Sequence, residues 1–145
     1  MLNANDQVVF RSAAPIDLPL IHELEHTHGY ARWFENDFAK ELSNPLSHTE
    51  LALTNERPIA FLITWEIVFE LHIQNIVVHT TFRRCGIAQD LIERALHVAR
   101  QKRLVSVHLE LRHNNKAAFR LYQKLGFHTD GVRHQYYTDT LEDAL

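Results

Sequence analysis

The stretch NIVVHTTFRRCGIAQDLIERAL, residues 75–96, turns a strand into a helix within a few residues. Ile76, Val77 and Val78 are consecutive β-branched residues, stiff at χ1 and suited to a pleated sheet rather than a helix. From Ile87 the apolar period changes, and Ile87, Leu91, Ile92, Ala95, Leu96 and Ala99 fall on one helical face. The connection between them, Arg83-Arg84-Cys85-Gly86-Ile87-Ala88, is short and basic and carries a single glycine.

That connection implies a chemistry. The first amides of a helix have no intrahelical partner and point outward with partial positive charge. A glycine at the turn permits close backbone approach, and Ala88 keeps the next contact small. Arg83 and Arg84 add full charge beside those amides, so a phosphate or pyrophosphate is the expected guest. The plainer alternative is an ordinary strand–helix connection with two solvated arginines, and the loop alone does not separate the two.

The rest of the chain supplies the context. Residues 7–13 read as a first strand, and Pro15, Asp17 and Pro19 punctuate the start of a helix carrying Leu20, Ile21 and Leu24. A second helix is expected from Trp33 to Leu42, stopped by Ser43-Asn44-Pro45. Strands follow over 49–55 and 58–69, joined at Glu56-Arg57, and a turn near Phe69-Glu70 leads into the strand ending at Val78. After the basic loop and its helix, residues 105–112 read as a strand. Val105, Val107, Leu109 and Leu111 face one way there, and Ser106, His108, Glu110 and Arg112 the other. Asn114 or Asn115 caps a last helix carrying Ala118, Leu121, Tyr122 and Leu125, with Gly126 just past its end and Phe127 folded back over it. Residues 129–137 read as one more strand. Adjacent strands in the middle favour antiparallel pairing and helical crossovers in the second half favour parallel pairing. The expected architecture is α/β: a central mixed sheet flanked by helices on both faces, in one domain over residues 1–145.

Charge and cysteine content bound the partners. Fifteen Lys and Arg against 18 Asp and Glu give a net charge of −3, so no direct nucleic-acid binding is expected and any basic site is local. The one cysteine, Cys85, forms no intramolecular disulfide and suits a reducing compartment. MLNANDQVVF has neither a basic lead nor a long apolar run, and no stretch approaches the ~20 apolar residues of a membrane span. A cytoplasmic protein with no membrane partner is expected.

His22-Glu23-Leu24-Glu25-His26 matches H-E-x-x-H, the zinc-protease helix. Gly29 falls where the longer form of that pattern wants it, but position 32 is Arg32, a cation in place of the third ligand. The competing reading is a polar helix face with Leu24 inward, and no metal site is expected.

Three segments together resemble the GCN5-related N-acetyltransferases (GNAT superfamily). Arg83 to Ala88 is similar to the family's Q/R-x-x-G-x-G/A loop. The strand ending at Val78 and the strand after it resemble the pair between which the family holds the pantetheine arm. Asn115, Ala118, Leu121, Tyr122, Gly126 and Phe127 match N-x-x-A-x-x-L-Y-x-x-x-G-F, the most specific of the three. Within the superfamily the likeness is greatest to the ribosomal-protein-alanine N-acetyltransferase group (RimI type), through NIVVHTTFRRCGIA, HLELRHNNKAAFRLYQKLGF, Arg133, Tyr136-Tyr137 and Trp33.

The resemblance implies acetyl transfer from acetyl-CoA to a primary amine by direct attack in a ternary complex. The N-terminal alanine α-amine of a ribosomal protein is the expected acceptor; a lysine, a small amine, or a non-catalytic acyl-CoA-binding module are the alternatives. It implies Glu110 as general base and Tyr122 as general acid. Backbone groups of Ile76, Val77 and Val78 would receive the acetyl-thioester, with an N–H near Val78 facing the oxyanion. The amides of Arg84, Cys85, Gly86, Ile87, Ala88 and Gln89 would hold the pyrophosphate, and Asn115 would touch the CoA arm. Without the resemblance, Glu110 reads as a surface carboxylate beside His108 or Arg112, and Tyr122 as core. The chain departs from the group at His79, where an acid is usual, and at Cys85. It departs again at Glu142-Asp143-Ala144-Leu145, where the group continues into a full last strand beside the substrate.

Overall fold

Five strands build the sheet in the order β1-β2-β3-β4-β5, with β1 at Val8–Ser12, β2 at Ser47–Thr54, β3 at Arg57–Ile67, β4 at Glu70–Val78 and β5 at Ser106–Leu109. The computed structural model describes residues 7–29, 35–110, 115–129, 133–137 and 142–144. β1 to β4 pair antiparallel in sequence. Val105 N–H donates to Phe69 O at 2.7 Å, and Ser106 Oγ lies 3.4 Å from Glu70 Oε2. These contacts set the start of β5 beside the start of β4, which is parallel alignment. The sheet is therefore mixed, as the sequence implied.

Helices lie on both faces. α1 (Leu18–His28) follows a 3-10 turn at Pro15–Asp17, and α2 spans Glu35–Ser43. Trp33, expected at the start of α2, lies outside the described residues. Ile21 and Leu24 of α1, Phe38 of α2, Leu51 and Leu53 of β2, Phe61 and Ile63 of β3 and Val77 of β4 form one buried cluster. α3 (Ile87–Gln101) covers the other face. Its Leu91 and Ile92 are fully buried, and its Arg94 bonds Glu50 of β2 at 3.1 Å while lying over the ring of Phe10 in β1.

Both hairpin turns fall one residue earlier than expected. They are built from non-glycine residues in the left-handed region: Asn55 and Glu56 (φ 50° and 63°), then Val68 and Phe69 (φ 39° and 65°). Two positive-φ residues in a two-residue turn match the twist of the flanking strands. β4 carries a bulge: Ile63 pairs with Asn75 and Thr64 with Ile73, leaving Gln74 as the extra residue. Leu71 and Ile73 consequently share the α3 side with Leu62 and Thr64, and Asn75 and Val77 take the α1 side with Phe61 and Ile63.

The expected strand over 105–112 is shorter. β5 is Ser106–Leu109, all four residues half-buried, with Glu110 beyond its end and 111–114 outside the described residues. Val105 is 76% exposed rather than inward, because it sits beside the exposed turn residues Val68 and Phe69.

The chain's contacts divide it into two compact units, Met1–Val107 and His108–Leu145. In the second, α4 (Lys116–Lys124) is capped by Asn115, whose Oδ1 accepts from Ala118 N at 3.2 Å. It ends as its sequence foretells: Gly126 has φ 99°, and Gly126 N and Phe127 N donate to Gln123 O and Tyr122 O at 3.0 and 2.9 Å. β6 (Arg133–Tyr137) pairs antiparallel with β7 (Glu142–Ala144). β7 is a strand of three residues.

Candidate active site

β4 delivers the chain through His79 and a 3-10 turn at Thr80–Phe82 into the basic loop. Gly86 occupies the N-cap of α3 at φ 81°, and no side chain caps the helix. The first helical bond runs from Asp90 N to Gly86 O at 3.0 Å, so the amides of Ile87, Ala88 and Gln89 precede the helical ladder. A Cβ built on Gly86 would meet nothing within 4 Å, so the space beside the glycine at the helix start is open. Ile87 itself is buried and pins the helix start to the core. An uncapped N-terminus on a 15-residue helix, with an exposed cation at Arg84 beside it, fits a pyrophosphate.

Arg83 corrects the expectation that both arginines serve the anion. Its Nε donates to Val78 O at 3.2 Å, and its Nη2 donates to His28 O at the end of α1. Committed to two carbonyls, Arg83 fastens the loop to β4 and α1, and Arg84, at φ 63°, is the exposed cation left over. Cys85, exposed, points its thiol at Arg83 O at 3.7 Å.

Val77 is buried, and Ile76 and Val78 are half-buried. Thus 76–78 and 84–89 are brought together in the first unit, with Arg83 as the tie. Glu110, Asn115 and Tyr122 belong to the second. Glu110 is exposed just past β5. Tyr122 is buried on α4, its ring edge-on to Phe127 at 5.8 Å, about two turns from Asn115.

Two features escaped the sequence. Glu25 of α1 is 2% exposed. Its Oε2 lies so close to Gly29 that a Cβ there would meet it at 2.6 Å, with Val77 Cγ2 at 3.0 Å. The signal was present: Glu25 stands at i+4 from Ile21, inside the apolar stripe rather than on the polar face. His28 and His79 also meet, ring centroids 3.9 Å apart. Burial first, then the neighbouring His28 and Arg57, hold the His79 pKa below the ordinary histidine value, with Glu23 acting against them.

His22 and His26 stack at 5.9 Å, and among the described residues no group of three or more His, Cys, Asp or Glu could hold a metal. Arg32 lies outside the described residues. No described helix is long and apolar enough to cross a membrane.

Comparison with known proteins agrees with this geometry. Residues 14–127 match the model of the acetyltransferase (GNAT) family. The [ribosomal protein bS18]-alanine N-acetyltransferase of Escherichia coli K12 is 31% identical over 131 residues, covering 89% of this chain and 88% of the relative. The crystal structure of the ribosomal-protein-S18-alanine N-acetyltransferase from Escherichia coli superposes with a TM-score of 0.88 at 29% identity, covering 95% of this chain and 90% of that one. The Arabidopsis thaliana NAA60 structure in complex with acetyl-CoA shares the fold, with a TM-score of 0.86 at 19% identity and 95% of both chains covered. A strand that runs into an uncapped, glycine-led helix start is thus found in a chain that belongs to the GNAT family of acetyltransferases, an N-acetyltransferase with acetyl-CoA as co-substrate.

Proposed function

We propose that the chain, as one domain over residues 1–145, acetylates the α-amine of a protein N-terminus in the cytoplasm, with the N-terminal alanine of a ribosomal protein as acceptor. The likeness over nearly the full length of both chains to the ribosomal-protein-alanine enzymes carries this reading.

The energetics favour a chain terminus. At pH 7 an α-amine of pKa ~7.7–8.0 gives up its proton for roughly 1.2 kcal/mol, whereas a lysine at ~10.4 needs roughly 4.6 kcal/mol. A single carboxylate acting directly or through water suits the smaller task.

In the proposed reaction acetyl-CoA supplies an acyl group activated as a thioester. The amides of Arg84 to Gln89 hold the pyrophosphate, and Asn115 touches the CoA arm. Ile76, Val77 and Val78 align the thioester through their backbone, an N–H near Val78 facing the carbonyl oxygen as it takes up charge. Glu110 accepts the proton released as the amine nitrogen bonds to the carbonyl carbon. Tyr122 returns a proton to the sulfur as the carbon–sulfur bond breaks. No covalent enzyme intermediate is required, so Cys85 and His108 stand aside.

The test is incubation with acetyl-CoA and alanine-starting peptides whose N-termini are free or blocked, each containing a lysine, read by intact mass. One acetyl group on the free peptide and none on the blocked one is expected. Acetylation of the blocked peptide at lysine overturns the acceptor. Failure of every amine, with CoA still bound, points to a binding module.

A further inference from the structure

Arg83 is not the only tie between α1 and the loop. Thr80 N–H donates to His28 Nδ1 at 3.3 Å, and Thr80 Oγ1 lies 3.3 Å from the same nitrogen. Thr81 N–H donates to His79 Nδ1 at 3.1 Å, which makes His79 the cap of the 3-10 turn. The rings lie 3.9 Å apart with 36° between their planes, and Phe82 closes the pair edge-on to His79 at 5.6 Å.

Both Nδ1 atoms accept from backbone donors, an arrangement that requires a lone pair rather than a proton on each. Protonating either Nδ1 sets a donor against a donor and releases one backbone N–H of the turn. It also places a cation against a second imidazole and near Arg57 of β3 and Arg83 of the loop, with Glu23 of α1 as the opposing charge.

We propose that His28 and His79 are positioning residues, a proton-sensitive latch that holds residues 80–86 in the conformation that binds the pyrophosphate of acetyl-CoA. The latch rests on the reading of residues 84–89 as the pyrophosphate loop. Its consequence is that cofactor binding weakens on mild acidification, while the pyrophosphate keeps its charge. Because the turn begins immediately after Val78, a released Thr80 or Thr81 N–H lets the loop swing about the end of β4, with Arg83 as the remaining tether to α1.

The measurement is calorimetric titration with dephospho-CoA from pH 5.5 to 7.5. This ligand lacks the 3′-phosphate, whose second ionisation near pH 6 would otherwise overlay the result. Wild-type protein is compared with His28→Asn, His79→Asn and the double variant, because an asparagine oxygen accepts a hydrogen bond in a similar place and does not titrate. Wild-type affinity is expected to fall about tenfold over this range and the double variant's by less than about threefold. Parallel curves for the two overturn the latch.

Gly86→Val at pH 7.5 separates the latch from the reading beneath it. If that variant binds as wild type does, the loop reading fails and the latch with it. If it loses binding and the histidine curves are still parallel, the latch alone fails. A readout on the unaltered protein covers the case of variants that do not fold. At pH 6 in two buffers of different ionisation enthalpy, binding must release protons on balance. Zero release or uptake overturns the proposal.

Discussion

Arg11 in β1 holds both carboxylate oxygens of Asp17, Nη1 to Oδ2 at 2.8 Å and Nη2 to Oδ1 at 2.9 Å. Asp17 also accepts Ala14 N–H at 2.8 Å, and it is buried. This fork fixes the angle at which the first strand turns into α1, and so the position from which α1 reaches His79. The bond from Arg11 is the main reason the Asp17 carboxyl titrates below its ordinary value; the Ala14 bond adds to it and burial opposes it.

Asp17→Asn is therefore expected to cost about 2–3 kcal/mol, the range for a charge-assisted bond lost from a buried group whose partner is half solvated. The sign of the pH dependence follows from the depressed carboxyl. Its stabilisation is fully present above the unfolded value near 3.8 and is lost as pH falls through the lower folded value. Melting curves between pH 2 and 7 must show a shallower acid limb in the variant. Identical limbs would mean that the fork contributes nothing.

Gly86→Val places a branched side chain at φ 81°, a strain of roughly 1–2 kcal/mol, yet inside the protein its Cβ meets nothing within 4 Å. The fold is expected to survive with a modest drop in melting temperature. CoA affinity is expected to fall by more than about a hundredfold, because the space the branch enters is the one assigned to the pyrophosphate. Retained affinity in the folded variant would remove the loop from the binding site.

For the proposed acid and base, Glu110→Gln is expected to lower the rate about 10²–10⁴-fold at neutral pH and to recover part of it by pH 10, as the amine deprotonates unaided. Tyr122→Phe keeps the ring contact with Phe127 and should lower kcat with little change in acetyl-CoA affinity. Steady-state kinetics from pH 6 to 10, with melting curves alongside, decide the matter. Near-normal kcat in both variants would return Glu110 to the surface and Tyr122 to the core.

Asn115 has two assigned tasks that two substitutions pull apart. Asn115→Ala loses the cap to Ala118 N and should destabilise by about 1 kcal/mol. Asn115→Ser keeps a capping oxygen but not the amide, so it should hold its melting temperature while weakening CoA binding several-fold. Unaltered CoA affinity in both would leave Asn115 as a cap alone.

What the sequence disclosed was local. The β-branched run ending at Val78, the glycine turn at Gly86, the apolar stripe of α3, and the Asn115 and Gly126 ends of α4 each follow from a few neighbouring residues, and each lies where it was expected. What stayed hidden depends on partners far along the chain. Arg83 reads as a phosphate ligand until His28 O, 55 residues away, takes its Nη2. Val105 reads as the inward start of a strand until the exposed turn at Val68-Phe69 occupies the place beside it. Glu25 reads as part of a polar H-E-x-x-H face until its place at i+4 from Ile21 buries it. β7 is too short to carry a periodicity of its own and depends on β6 for pairing.

The extra residue at Gln74 gives β4 a change of phase. Leu71, Ile73, Asn75 and Val77 alternate as though they shared one face, yet the bulge directs the first two to the α3 layer and the last two to the α1 layer. Forcing the same residues into one unbroken alternation would carry Val77 out of the α1 cluster, whereas deleting Gln74 would remove the bulge and leave Ile73 on the α3 side and Val77 on the α1 side. A residue added at the exposed Asn55-Glu56 turn changes no such assignment. Among relatives of this chain, a one-residue gap at Gln74 should mark a β4 that has lost its bulge and kept its two faces, and a gap at the first hairpin should mark nothing.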